Sequence, residues 1–286
     1  MEKDIDREKF KEKKRAELET LYDAVNEETL MIADDPEKFS AYLRVQARFN
    51  RYTVTNAILL LHQFPDAQKL KTFEGWKREG ASVGRGEKSI SILEPYSYTK
   101  ADGSMGKGFR IKKLFDISQT DVRMSPDPFL TGVSSRSLLR ALLEASSVET
   151  EAADTLDHGK DAVYEQKKQK IYIRRMLEPD DFFRAAAVSI AEAQLAEQGV
   201  SCGQDELESK AKAIAFMLCV KYGIDPGSLR AKMPRATARM EIKEIKAELS
   251  EIRKTFTGIA DRMDASISKQ IREKRAGRER GHHEGR

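Results

Sequence analysis

Residues 51–95 of this 286-residue chain read RYTVTNAILLLHQFPDAQKLKTFEGWKREGASVGRGEKSISILEP. Within this stretch, residues 57–61 form a run of small and aliphatic side chains that follows two threonines able to cap a helix, Thr53 and Thr55. The run ends before Pro65, because proline disfavours the helical conformation in the residue that precedes it. We therefore predict a helix here, and we expect it to form the centre of the first core.

The sequence on both sides of this helix predicts further helices and a pair of strands. Upstream, apolar residues at helical spacing predict helices at 4–33 and 37–49, with the break at Pro36. Downstream, the pattern predicts a short helix at 73–79 and strands at 89–93 and 106–116. We expect Pro95 to end the first strand.

The second half of the chain begins a new pattern. Pro126 and Pro128 flank one acid in a segment that continues neither a helix nor a central strand, so a domain boundary is expected at 120–135. Beyond this segment the pattern predicts helices at 135–147, 178–198 and 205–222, and a hairpin with strands at 162–164 and 170–173. After Pro234, apolar residues recur every three or four positions over 242–271, which predicts a long amphipathic helix.

These elements together predict an α+β fold. It comprises a helical N-terminal domain with a small antiparallel sheet, a second, mostly helical domain with a small hairpin, and a long C-terminal helix. The predicted domains are 1–125 and 130–235, followed by the amphipathic helix at 236–275 and a disordered tail at 276–286. The apolar stripe of the long helix either docks on the second domain or supports self-association as a coiled coil.

Composition excludes several classes of protein. Charged residues make up 34% of the chain, and no run approaches the roughly 18 apolar residues of a membrane span, so we expect no membrane association. The first residues, MEKDIDREKFKEKKR, contain no apolar segment, and we therefore expect no secretory signal and a cytoplasmic protein. The only cysteines are Cys202 and Cys219, which lack CxxC spacing and are interpreted as small core residues.

Charge is distributed unevenly along the chain. The formal net charge is +4, but residues 69–113 alone hold 11 Lys and Arg against 5 Asp and Glu. Residues 232–286 are also basic, with 15 against 9, whereas 1–38 and 114–231 are acidic. The two basic segments are the candidate anion-binding surfaces, because a polyanion responds to local charge.

The stretch 51–95 resembles the N-terminal domain of ArdC-type antirestriction proteins and of the related LtrC-like proteins of conjugative elements. The resemblance is carried by Tyr52 and Asn56, by a Gln-Phe-Pro end to the apolar helix, by a Thr-Phe-x-x-Trp segment, and by Gly-Glu-Lys before Ile-x-Ile-Leu-x-Pro. With the following strand it covers about the first 120 residues. It implies a domain that binds single-stranded DNA with little sequence preference, and the basic segment 69–113 agrees with this independently.

Basic and aromatic side chains of this domain are the candidate DNA-binding residues. Cations neutralise backbone phosphates, and aromatic rings stack on unpaired bases whatever the sequence. The predicted nucleic-acid-binding residues are Arg48, Arg51, Tyr52, Asn56, Trp76, Lys77, Arg78, Arg85, Lys88, Lys107, Arg110, Lys112 and Lys113. Tyr96 or Tyr98 can also stack. For Trp76 a core position is favoured, because it lies beside Phe73 at helical spacing. For Gly84 and Gly86 a tight turn is favoured over a phosphate cradle, because two glycines in a loop are a weak signal.

The resemblance also implies a zinc peptidase domain with HExxH on a helix. The corresponding helix here has Val188, Ser189, Ile190, Ala191 and Glu192 at the five motif positions, so both histidines and the catalytic glutamate are missing. We therefore predict no catalytic residue, no metal ligand and no cofactor, and we interpret the domain as a degenerate peptidase-like domain. The alternative is a divergent metallopeptidase site around Glu192 and Glu208.

The four histidines do not supply a metal site. His62 lies on the apolar helix, where a core or boundary role is favoured over catalysis, and His158 lies in a loop. His282 and His283 lie in the tail, so no pair has metal-ligand spacing within a predicted folded helix.

The functional hypothesis is a protein that binds single-stranded DNA in conjugative transfer or antirestriction of a mobile element. A scaffold that recruits a relaxase or another DNA-processing partner is the third alternative.

Overall fold

The computed structural model describes residues 2–100, 102–122, 133–200, 203–227, 229, 231–233 and 240–283. The chain divides into two compact units, Met1–Ser125 with Thr237–Ala247 and Pro126–Ala236 with Glu248–Arg286. The segment in which a domain boundary is predicted includes residues 123–132, which lie outside the described residues. No helix in the described ranges combines the length and the apolar character that a bilayer crossing demands.

The N-terminal unit contains helices and a small antiparallel sheet, which confirms the predicted class. Its helices are α1 (Glu2–Asp34), α2 (Pro36–Arg48), α3 (Val54–Gln63) and α4 (Phe73–Arg78), and its strands are β1 (Leu70–Lys71), β2 (Ile90–Thr99) and β3 (Met105–Asp116). The strand order is β1-β3-β2, with both pairs antiparallel. A short 3-10 helix, Ile117–Gln119, follows β3.

Side-chain caps begin the helices at the positions where the sequence changes character. The Asp35 carboxylate accepts a hydrogen bond from the Glu37 backbone N–H at 2.8 Å and so caps α2. The Thr53 hydroxyl, rather than that of Thr55, caps α3 by accepting from the Asn56 N–H at 3.3 Å. The first three helices form the core of the unit, with fully buried side chains at Val25, Ile32, Phe39, Tyr42, Leu43, Ile58, Leu59 and Leu60.

The first long strand, β2, does not end at Pro95 as predicted but continues to Thr99. The reason is that the backbone nitrogen of Pro95 faces away from the partner strand β3. Backbone groups of the alternate residues Ser91 and Leu93 point away from β3, toward α3, and Pro95 follows the same alternation. Its missing N–H therefore lies on the outer edge of the sheet, where no ladder bond is lost.

Two side-chain amides of α3 cover the outer edge of β2. Asn56 accepts from the Leu93 N–H and donates to the Leu93 carbonyl, both at 2.9 Å. Gln63, two helical turns later, makes the same pair of bonds with Ser91, again at 2.9 Å. Each amide makes the two hydrogen bonds that a residue of a neighbouring strand would make. Side chains of a helix therefore satisfy the backbone N–H and carbonyl groups at this edge of the sheet.

We predict that Gln63→Leu destabilises the N-terminal unit by about 2 kcal/mol or more, because it leaves the buried-edge N–H and carbonyl of Ser91 without these partners. Urea unfolding followed by the fluorescence of Trp76, the single tryptophan, measures this loss. The control is Gln68→Leu at an exposed side chain that donates to Asp66. Equal stability of the two variants would contradict the edge-covering role.

The second unit is mostly helical and contains the predicted hairpin. Its elements are α5 (Ser135–Glu144), β4 (Glu149–Ala153), the 3-10 turn Asp157–Gly159, β5 (Ala162–Glu165), β6 (Lys170–Arg174), α6 (Pro179–Glu197), α7 (Gln204–Tyr222) and most of α8 (Ile242–His283). The hairpin is β5 with β6. Strand β4, which pairs with β6 in parallel, was not predicted because its sequence, ETEAA, has no apolar alternation.

The long helix α8 packs within its own chain. Its apolar stripe is buried at Leu249, Ile252, Phe256, Ile259, Met263 and Ile267. Polar contacts accompany this burial: the Tyr222 hydroxyl donates to the Asp264 carboxylate at 2.8 Å, and the Arg262 Nε donates to the Ala145 carbonyl at 2.8 Å. The docking alternative is therefore correct, and the coiled-coil alternative is wrong for this stripe because it is not exposed. The helix also extends to His283, so the part of the predicted disordered tail before residue 284 is helical.

Lys210 joins α7 to α8 from an almost completely buried position. Its ammonium group lies 3.2 Å from Glu206 and 2.9 Å from Glu248, and it also pairs with Glu251. Burial acts to lower the pKa of Lys210, but the hydrogen bonds to Glu251 and Glu248 outweigh burial and raise it above its ordinary value. The lysine is therefore charged near neutral pH.

We predict that Lys210→Met destabilises the second unit by about 3–5 kcal/mol near neutral pH, because three carboxylates then share a partly buried region without a cation. Thermal unfolding followed by helical circular dichroism measures the loss. Lys212→Met, two residues further along the same helix and paired with the half-exposed Glu208, is the matched control and is expected to cost less than about 1 kcal/mol. A similar loss in both variants would show that Lys210 is an ordinary surface cation.

Candidate nucleic-acid interface

One open pocket of about 760 Å³ lies where the start of α3 and the α4 region meet the sheet of the N-terminal unit. Its apolar lining includes Leu70, Ile92 and Leu114. The walls are polar and include five of the predicted DNA-binding residues, Arg51, Tyr52, Asn56, Arg78 and Lys112. These residues are far apart in sequence, and the fold brings them to a single concavity.

Tyr52 forms an aromatic wall of this pocket. Its ring is half-buried and stacks on Phe49 with centroids 5.4 Å apart. The turn that carries it is held by the Gln46 amide, which donates to the carbonyls of Phe49 and Tyr52 at 3.0 and 3.3 Å. Burial raises the pKa of Tyr52, so the phenol stays neutral and acts as an apolar ring with a hydrogen-bonding tip.

Asn56 lines the pocket but has a structural role. Both ends of its amide bond the backbone of Leu93, as described for the edge of β2. The prediction that Asn56 directly recognises nucleic acid is therefore not supported by the direction of its hydrogen bonds. The residue positions the strand that forms the pocket wall.

The cations of the pocket are close enough to influence one another. The pKa of Lys71 is lowered, first by loss of solvent and then by repulsion from Lys69 and Arg78. Arg78 is exposed, and its Nε donates to the Glu74 carbonyl of its own helix at 3.4 Å. The Glu79 carboxylate, which also lines the pocket, pairs with Lys71 and lies 3.6 Å from the Lys69 ammonium group, so a phosphate that binds here exchanges with this carboxylate.

Glu94 holds two further cations on the same face of the sheet. Its carboxylate lies 2.6 Å from the Arg110 guanidinium and 2.5 Å from the Lys112 ammonium. Hydrogen bonds from Lys112 and then Arg110 lower the pKa of Glu94, which stays ionised. A phosphate that binds here would replace Glu94 as the partner of Arg110 or Lys112. These side chains are exposed or half-exposed, and ion pairs between such groups are weak.

Trp76 is a core residue and not a stacking surface. Its side chain is 1% exposed, and its indole N–H donates to the Phe115 carbonyl at 2.8 Å. It packs with Ala81 and Ile117. The predicted contact of Trp76 with bases is thus wrong, because a buried ring has no face to offer.

The other predicted cations lie outside the pocket. Arg48 donates to the Pro65 carbonyl, which gives it a structural role, and Lys113 pairs with Glu17. The remainder are exposed on other parts of the unit: Lys77, Arg85, Lys88 and Lys107.

The glycine loop forms a tight turn. The Gly84 N–H already donates to the Gln119 carbonyl at 2.9 Å, and Gly86 has a φ of +87° that favours glycine. A phosphate cradle would need the Gly84 donor, so the turn alternative describes this loop.

Comparison with known proteins agrees with this architecture. The family of the N-terminal domain of anti-restriction factor ArdC matches residues 23–121. This part of the chain is therefore similar to the N-terminal domain of ArdC-type proteins. The resemblance predicted from residues 51–95 is therefore confirmed for the domain that holds the pocket.

Solved structures and a curated relative add to this comparison. The crystal structure of the antirestriction ArdC protein from plasmid R388, in its metal-free form, is 15% identical with a TM-score of 0.50, and the match covers 76% of this chain and 86% of that chain. Its Mn(II)-bound structure has a TM-score of 0.49 over 76% and 85% of the two chains, at 15% identity. An uncharacterized protein of Bacillus anthracis is 30% identical over 88 residues, which is 31% of this chain but only 15% of that protein. At these identities the structural match shows the fold alone.

Outside the ArdC-type domain, the helix aligned with HExxH packs as a core helix. Ser189 and Ala191 are buried on α6, and Glu192 is half-buried. Within the described ranges, no three His, Cys, Asp or Glu side chains come together as metal ligands. Cys219 is also buried, and burial raises the pKa of its thiol to about 12, so it is not a nucleophile.

Several further predictions concern histidine and cysteine. His62 is exposed at the boundary of the ArdC-type domain, with Nδ1 3.3 Å from the buried Glu28 carboxylate, so it is a boundary residue. Cys202 and the side chains of His158, His282 and His283 lie outside the described residues.

Glu192 is the one group of the alternative peptidase site with a strongly altered acidity. Loss of solvent raises its pKa to about 7, and repulsion from Glu208 adds to this, against attraction from Lys160 and Lys212. Its proton is therefore bound more tightly in the folded chain than in the unfolded chain. The stability that this provides is complete below the unfolded pKa and is lost as pH rises toward 7.

We predict that Glu192→Gln stabilises the second unit at pH 8 by on the order of 3 kcal/mol relative to its effect at pH 4, because glutamine stays neutral. Urea unfolding across pH 4–8 measures the difference, and Glu197→Gln on the same helix is the control. Stoichiometric zinc in the purified protein, lost in Glu192→Gln, would instead assign Glu192 to a metal site.

Proposed function

We propose that this protein binds single-stranded DNA with little sequence preference through the pocket of its ArdC-type domain. The observation that carries the proposal is the convergence of Arg51, Arg78 and Lys112 with the half-buried ring of Tyr52. Cations and an aromatic wall are the two features that single-strand binding needs, and neither depends on the identity of the base.

The dimensions of the pocket support a nucleotide as the ligand. A volume of about 760 Å³ is within the range of small-molecule sites, which is roughly 300–1,000 Å³. A base reaches such a concavity only when it is unpaired, because in a duplex it is held in the stack. The apolar lining residues Leu70, Ile92 and Leu114 suit the base, and the cations of the lining suit the phosphates.

We further propose that DNA binding serves antirestriction or conjugative transfer of a mobile element. The family match to the anti-restriction factor domain supports this setting. The second unit then has a packing or partner-binding role and no catalytic one, since Val188 and Ser189 occupy positions where a metal ligand and a general base would be needed. A relaxase or another DNA-processing protein is the kind of partner that it would bind.

The proposal predicts that Arg78→Ala/Lys112→Ala weakens binding of a labelled single-stranded oligonucleotide at least about tenfold at low salt. The plot of log affinity against log salt concentration should become less steep by about 0.7 for each phosphate that the variant no longer neutralises. Fluorescence anisotropy at several salt concentrations measures both quantities, with duplex DNA as the comparison ligand.

The control for this experiment is Arg136→Ala/Lys167→Ala, which removes the same charge from exposed positions in the second unit. Its affinity and salt dependence are expected to equal those of the wild type. Absence of binding by the wild type at low salt, or an equal loss in the control, would refute the pocket as the binding site.

A further inference from the structure

The outer half of the β2–β3 hairpin carries exposed aromatic rings that the pocket does not use. Tyr96 and Tyr98 are 41% and 45% exposed. They alternate with Ser97 on β2, so both rings lie on the same face of the sheet.

Each ring lies over a glycine of the partner strand. The register pairs Tyr96 with Gly108 and Tyr98 with Gly106. A Cβ atom at Gly106 would lie 2.6 Å from Cζ of Tyr98, and one at Gly108 would lie 3.1 Å from the ring of Tyr96. A side chain at Gly106 would displace the Tyr98 ring, and one at Gly108 would press on the Tyr96 ring, so the glycines let both rings rest on the backbone of β3 while much of each ring stays exposed.

The two rings lie beside each other and are not stacked. Their centroids are 5.8 Å apart, with an angle of 40° between the planes. Neighbouring bases in a stacked DNA strand rise by only about 3.4 Å. Two consecutive bases can therefore occupy both rings only if the strand is extended and its bases are unstacked, which a duplex does not allow.

The same face of the sheet leads directly to the pocket. On β2 it continues from Tyr96 to Glu94 and Ile92, and on β3 from Gly108 to Arg110 and Lys112. Ile92, Glu94 and Lys112 are pocket residues, and the side chain of Arg110 is 66% exposed between the rings and the pocket. A strand that follows this face meets rings, a cation and the pocket in that order.

We propose that Tyr96 and Tyr98 are two consecutive base-stacking positions, which take neighbouring unpaired bases of a DNA strand whose backbone passes Arg110 into the pocket. The inference rests on the proposed function, because it extends the pocket to a longer binding track. It assigns the preference for single strands to the spacing of the two rings.

The geometry also implies a modest preference among single strands. A purine-rich strand such as oligo(dA) stacks on itself and must be unstacked to reach both rings, whereas oligo(dT) is unstacked already. The protein is therefore expected to bind oligo(dT) more tightly than oligo(dA) of the same length.

The test is a titration of labelled oligo(dT) and oligo(dA) with the full chain carrying Tyr96→Leu/Tyr98→Leu. Leucine keeps an apolar cover over Gly106 and Gly108 but has no π face. We expect affinity for oligo(dT) to fall by about fivefold or more per tyrosine, with the salt dependence unchanged because every phosphate-binding cation is retained. The difference between oligo(dT) and oligo(dA) should also shrink.

Two further variants make the result specific. Phe109→Leu alters an exposed aromatic ring of the same hairpin. Phe109 pairs with Pro95, and its side chain lies on the opposite face of the sheet from Tyr96 and Tyr98. The affinity of this variant for oligo(dT) should therefore stay within about twofold of the wild type. Tyr96→Phe/Tyr98→Phe keeps both rings and should bind as the wild type does. Urea unfolding monitored by Trp76 fluorescence checks that each variant is folded.

The outcomes separate this inference from the proposed function. Unchanged affinity in the leucine variant, an equal loss in Phe109→Leu, or a loss in the phenylalanine variant overturns the stacking track. If Arg78→Ala/Lys112→Ala still weakens binding in that case, the pocket stands without the track. If the wild type does not bind single-stranded DNA, both proposals fall.

Discussion

The outer edge of β2 needs hydrogen-bonding partners, and the amides of Asn56 and Gln63 supply them. Because these bonds join side chains of α3 to the backbone of Leu93 and Ser91, they set the position of the strand relative to the helix independently of the strand's own side chains. The pocket lies between the start of α3 and this sheet, so the relative positions of Tyr52 and Lys112 depend on the same bonds. The pairing of β2 with β3 continues from this point to the end of the hairpin, so it also fixes the positions of Tyr96 and Tyr98.

The charges of the N-terminal unit are balanced locally, although the segment 69–113 is basic as a whole. Glu94 pairs with Arg110 and Lys112, and Glu79 pairs with Lys71. Exposed pairs of this kind contribute little to stability, since the Coulomb gain is small in water and two long side chains are ordered. The carboxylates therefore position these cations through ion pairs that are individually weak.

In the second unit, α6 is a packing helix. Small residues of α6, such as Ala187 and Ala191, are fully buried, which allows a close approach of the neighbouring helices. Glu192 places a carboxyl group in this region. Loss of solvent around this group raises its pKa and so favours its protonated form. The buried stripe of α8 and the ion cluster of Lys210 then tie the last helix to this unit.

Helices, caps and the main strand pair could be predicted from the sequence, because each depends on residues close together in the chain. Thr53 and Pro65 bound α3, and an alternating pattern marks the start of β2. The family resemblance over 51–95 has the same local origin. Strand β4 was missed, because the sequence 149–153 becomes a strand only by pairing with β6.

The candidate site was predictable as a set of residue types but not as a place. The helical spacing around Trp76 favours a core residue without excluding a stacking residue, and the burial of the ring with its hydrogen bond to the Phe115 carbonyl decides between them. The convergence of Arg51, Arg78 and Lys112 depends on sheet register and on α3 packing, which join segments distant in the chain. The sequence by itself thus determined most of the elements, the charge and the domain type. The tertiary structure decided which side chains meet, because propensity and capping act over a few residues whereas a binding surface is assembled from long-range contacts.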